Sequence, residues 1–210
     1  MSKKLIIFLT VLSTLTIGFL AFGYFYMDEA ARMAFSAEDT GPLEQLHGWI
    51  FAAAAVGGVL VWFRKRTKIW LVYIFLMAMA AMRELDWHKE FTEDSILKLT
   101  FYSRSDAPMG EKIGGLIVVI LLLASLIYLL VRLYKDRKRI RFSNTPLLLS
   151  VLGIGSLAGA KMLDSLARLI PAMKDFVFAN AGFFRLMEET FETTGAVFFV
   201  ACAVAAIYRK

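Results

Sequence analysis

The sequence predicts an all-α fold, a polytopic membrane bundle of about six transmembrane helices with both chain ends in the cytoplasm. Three observations predict it. Of 210 residues, 59% are hydrophobic and the mean hydropathy is +0.62, against an apolar share of roughly 45–50% in a soluble domain. The apolar residues gather in runs of membrane-crossing length. Between the runs, Lys/Arg clusters alternate with connections richer in acids, as the positive-inside bias requires.

The first span, Leu5–Tyr26, follows Lys3 and Lys4. Its apolar run exceeds the about 7–15 residues of a signal-peptide core, so it reads as an uncleaved helix. The second, His47–Phe63, runs into Arg64, Lys65, Arg66 and Lys68, and the third, Ile69–Leu85, leaves that basic turn. The fourth, Ile113–Tyr134, ends in Arg132, Lys135, Arg137, Lys138, Arg139 and Arg141. Asn144 or Thr145 caps the fifth, Leu147–Leu163, with Pro146 in its first turn and Pro171 closing its continuation. Gly155 and Gly159, and Ser156 and Ala160, repeat at a spacing that lets helices approach closely. The sixth, Gly195–Tyr208, ends at Arg209 and Lys210.

With the basic clusters inside, connections 27–46, 86–112 and 164–194 face the exterior. Residues 1–210 form one transmembrane domain without an internal repeat. Segment 86–112 reads as an outward-facing interfacial stretch, with residues 94–106 as a surface helix and loop lying over the outer end as a lid. The bacterial inner membrane is the expected location.

The formal charge of +6 does not point to nucleic acid, because the bases sit in short runs between spans. The single cysteine, Cys202, excludes a disulfide framework and a Cys-rich zinc site. P-loop, G-x-S-x-G, H-E-x-x-H and G-x-G-x-x-G motifs are absent, which leaves nucleotide-driven transport and serine hydrolysis unsupported. Met77, Met79 and Met82 read as adaptable packing.

The ionisable residues of the helices concentrate at one depth. At about 1.5 Å per residue, Glu44, His47, Glu84, His88, Asp164 and Glu192 lie roughly 23–30 Å above the cytoplasmic end of their spans. Glu44 and His47 form E-x-x-H, Glu84 and His88 form E-x-x-x-H, and Glu188 and Glu192 are four apart, so each pair shares a helix face. Carboxylates with imidazole suit zinc, manganese or iron. The predicted metal ligands are therefore Glu44, His47, His88 and Glu188, with Glu84, Glu192 and Asp164 as catalytic carboxylates. The expected substrate is a lipid or lipid-linked molecule at the outer headgroup level.

Other readings of the same layer stand beside this one. Arg83, Lys161, Arg168 and Arg185 offer ion-pair partners to Glu84, Asp164, Glu188 and Glu189. The layer also suits a proton or cation site in a small transporter, or a docking surface for another membrane protein. His47 and His88 at similar depth would permit two axial ligands to a b-type haem. The stretches "RELDWHKEFTEDSILK", Arg83 to Lys98, and "LMEETFE", 186–192, resemble segments of uncharacterised polytopic inner-membrane proteins of bacteria. The resemblance implies the membrane location and no activity.

Overall fold

The computed structural model describes residues 3–37, 41–85, 96, 99–103, 107–136 and 144–209. All regular structure in these residues is helical. The long helices are α1 (Lys3–Tyr26), α3 (Pro42–Lys65), α4 (Lys68–Glu84), α6 (Met109–Asp136), α7 (Thr145–Asp164) and α10 (Ala181–Tyr208). Short helices α2 (Glu29–Phe35), α5 (Leu99–Ser103), α8 (Leu166–Leu169) and α9 (Lys174–Ala179), and a 3₁₀ turn at Pro171–Met173, lie in the connections.

Five helices, α1, α3, α6, α7 and α10, are long and apolar enough to cross a membrane. The third predicted span forms α4, whose 17 residues extend about 25 Å at about 1.5 Å per residue. That falls short of a core of about 30 Å, and α4 is not among the helices long enough to cross by itself. The predicted sixth span starts at Gly195, whereas α10 starts at Ala181. Its first half carries Arg185, Glu188, Glu189 and Glu192, which masked its helical continuity with the apolar half.

α10 is the centre of the bundle. It packs on α7, α3, α2 and α1, while α4 packs on α3. Phe51 and Ala54 of α3, Met77 and Ala81 of α4, and Ala196 and Phe199 of α10 form the main core cluster. Leu5, Leu149, Phe198 and Cys202 continue it towards the chain ends. The hydroxyl of Tyr73 donates to the carbonyl of Phe199 at 2.6 Å, tying α4 to α10 inside this apolar region. α1 and α6 bury almost nothing of their apolar windows, and helices apolar all round suit lipid contact.

α7 crosses α10 with the two backbones close together. A Cβ on Gly153 would lie 3.1 Å from the Phe199 ring and 3.3 Å from the Gly195 carbonyl, and one on Gly195 would lie 3.2 Å from the Gly153 carbonyl. Gly155, singled out by its spacing, has nothing within 4 Å of such an atom, whereas Gly159 meets Phe191 at 3.2 Å. Gly153→Ala and Gly195→Ala are expected to lower unfolding stability in detergent by about 1–3 kcal/mol each through overpacking. Gly155→Ala is the matched control and should not lower it.

The two ends of the bundle differ in chemistry. Lys4, Thr145 and Arg209 line one cavity at the end where both described chain ends lie, and Arg209 donates to the Asn144 side-chain oxygen. The α3–α4 turn there is made by Arg66 in the left-handed region (φ 51°), its guanidinium 4.7 Å from the Trp62 ring. The opposite end gathers the acids.

Candidate metal centre

Three helices bring the acidic end together. On α3, His47, Ala54 and Val61 are seven residues apart and each is 0% exposed, so the imidazole sits on the seam that packs into the bundle. Gly48 follows it, and a Cβ there would fall 2.9 Å from Leu85 Cδ2 and 3.3 Å from Glu84 Cβ. Its bare backbone lets the end of α4 close on α3. Glu84 extends the buried face of α4, three residues beyond Ala81 and seven beyond Met77. Glu189 precedes Ala196 by seven residues and Ala203 by fourteen, all buried on α10.

His47 Nε2 lies 2.8 Å from Glu84 Oε2 and 3.6 Å from Glu192 Oε2. Nδ1 lies 3.6 Å from Glu189 Oε2. An ionised Glu84 can only accept, so Nε2 carries the hydrogen and Nδ1 presents its lone pair. Nδ1 then faces a carboxylate oxygen, an acceptor opposite an acceptor. Both atoms are buried, and among the described residues neither has a hydrogen-bond partner. Such a pair is costly unless a shared proton or a cation lies between them.

The ligand atoms of His47, Glu189 and Glu192 lie within 4.8 Å of one another. Donors at about 2.0–2.2 Å from one ion, subtending about 90–110°, are separated by about 2.8–3.6 Å, and the Nδ1–Glu189 Oε2 spacing of 3.6 Å lies at the upper end of that range. A carboxylate that orients the imidazole through its other nitrogen is the usual outer partner of a metal-bound histidine. Glu84, 2.8 Å from Nε2, stands where such a partner would be.

Beside the cluster opens a cavity of about 390 Å³, lined among others by Glu44, Glu84, Asp164, Glu188, Glu189 and Glu192. Of the predicted site residues, Glu44, Glu84, Asp164, Glu188 and Glu192 line this cavity, His47 is buried and does not, and His88 lies outside the described residues. Asp164 is held by Lys161 and by Arg168 at 3.8 Å, so its role includes the predicted ion pair. Arg83 Nε stands 3.4 Å from Glu84 Oε1.

Glu189 was absent from the predicted ligands. Its heptad register with Ala196 and Ala203 was the signal, but the four-residue spacing of Glu188 and Glu192 drew the assignment to their face instead.

The described cover on one side of the site is α2. Arg32 donates to the carbonyls of Gly23 and Tyr24 at 2.9 Å each, capping the end of α1. Glu29 accepts the backbone N–H of Gly182 at 2.6 Å, capping α10, and Arg185 Nε donates to the Ser36 carbonyl at 2.6 Å. Met33 of α2 lines the cavity. Of the predicted lid, 86–112, residues 86–95, 97–98 and 104–106 lie outside the described residues. Leu99–Ser103 forms the short helix α5, and α6 begins at Met109. No family model, curated protein or solved structure matches the chain.

Proposed function

We propose that the protein is a multi-pass enzyme of the bacterial inner membrane that uses a divalent cation, zinc, manganese or iron, to hydrolyse a lipid or lipid-linked substrate at the outer headgroup level. The observation that carries this reading is the buried, hydrogen-poor pair of acceptors, His47 Nδ1 and Glu189 Oε2, 3.6 Å apart. A divalent cation between them, completed by Glu192, satisfies both. The runner-up, a proton or cation site in a transporter, draws on the same carboxylates. Below the site, however, the hydroxyls of Thr193 and Thr194 donate to carbonyls of their own helix, and the main core cluster is apolar and carries no ionisable side chain. Two histidine nitrogens facing carboxylates also fit a cation better than haem, whose pockets are mainly apolar.

A bound cation supplies Lewis-acid polarisation of an ester or phosphoryl oxygen. The chain's own groups do the rest. Glu84 fixes the tautomer of His47. Glu192, at 17% exposure more open than Glu84 or Glu189 at 9%, would hold the cation through one carboxylate oxygen and keep the other free to take a proton from the attacking water as the water oxygen bonds to the acyl or phosphoryl centre. The substrate's bond to the leaving oxygen breaks, and the same carboxyl returns the proton to that oxygen.

The membrane orientation is part of this reading, and reporter fusions after Asp39, Lys68, Asp106 and Arg139 should read outside, inside, outside, inside. An inside signal at Asp106 would place the site at the wrong leaflet. The activity is tested with lipid esters and phosphodiesters in detergent micelles. Hydrolysis should vanish on chelation and return on adding zinc or manganese, and hydrolysis indifferent to chelator would refute the cation's role.

A further inference from the structure

The walls of the cavity beyond the His47 cluster carry a second, separate pattern. Six carboxylates face it against three basic side chains, Arg83, Lys161 and Arg185. One divalent cation leaves that balance acidic, so a purely anionic headgroup is poorly matched. Glu188 stands on the wall, and among the described residues no hydrogen bond or ion pair engages its carboxylate. The aromatic side chains of Phe178 and Phe184 line the same space as Glu188, and aromatic faces with a carboxylate in one cavity offer the chemistry that recognises an ammonium group. The bases Arg83 and Lys161, paired on one side with Glu84 and Asp164, have side chains 67% and 70% exposed and so still present N–H groups to a phosphate.

We propose that the cavity binds the headgroup of a zwitterionic, amine-bearing phospholipid, its ammonium on Glu188 beside the aromatic wall and its phosphate on Lys161 and Arg83. This names the substrate class of the site and rests on the outer-leaflet cation reading for its catalytic meaning, though not for binding itself. The apolar side chains of Met33 and Val177, which also line the cavity, offer a surface to the first carbons of the tails. The cavity volume of about 390 Å³ lies within the about 300–1,000 Å³ of small-molecule sites.

Native mass spectrometry of the full chain in detergent tests this, with phosphatidylethanolamine, phosphatidylglycerol and soluble phosphoethanolamine as probes and metal content measured on the same samples. The wild type should retain phosphatidylethanolamine at least tenfold better than phosphatidylglycerol. Glu188→Gln should erase that preference, and Lys161→Gln should weaken both lipids several-fold, with metal content unchanged in each variant. Equal retention of the two lipids by the wild type, or an undiminished preference in Glu188→Gln, would overturn the proposal even if metal is bound. Phosphoethanolamine binding as tightly as the lipid would overturn the lipid as the source of the headgroup. A metal-free protein that still shows the lipid preference would support this inference while removing the catalytic reading.

Discussion

His47→Ala should lower the affinity for zinc or manganese by more than 100-fold, measured by calorimetric titration of the chelator-stripped protein. His47 is the sole nitrogen donor in the described cluster, and its replacement leaves carboxylates with no imidazole to complete the set. Glu84→Gln should be milder. The amide can still accept from Nε2 but no longer offers a charged partner, and loss of such outer-sphere support typically costs 10–100-fold in metal affinity. Equal affinities in all three proteins would mean that the ion, if any, binds elsewhere.

Glu192→Gln should reduce turnover of the hydrolysed lipid by about 10²–10⁴-fold, the usual contribution of a positioned general base. The reason is local. Glu192 Oε2 lies 3.6 Å from His47 Nε2 and its side chain is the most exposed of those facing the imidazole, so it is the carboxylate that an entering water meets. The same substitution should neither create nor block a transmembrane current in proteoliposomes. A pH- or ion-gradient-driven flux in the wild type, lost in Glu192→Gln, would put transport ahead of hydrolysis.

Much of the architecture was legible because its signals are one-dimensional. Apolar runs, the basic turn at Arg64–Lys68 and Pro146 at the start of α7 fix where helices begin and end, and the alternating charge runs fix which ends share a side. The common depth of Glu44, His47, Glu84, Asp164 and Glu192 was legible for the same reason. What pairing across helices decides was not. The Nε2 contact to Glu84 depends on Gly48 admitting the end of α4, a relation between residues 37 positions apart. The tight crossing falls at Gly153 and Gly195 rather than at the regularly spaced Gly155, because only packing tells which face of α7 meets α10. The first half of α10 hid behind its own charges, which a membrane-span pattern rejects and a buried site requires.

His47, Glu189 and Glu192 are expected to hold one divalent cation. X-ray absorption at the metal edge, on protein purified without chelator and quantified per chain, tests it most directly. The expected result is one ion per chain with a single imidazole nitrogen and carboxylate oxygens at about 2.0–2.2 Å, and loss of the nitrogen scattering path in His47→Ala. A fresh preparation without stoichiometric metal, or an ion whose spectrum is unchanged in His47→Ala, would contradict it.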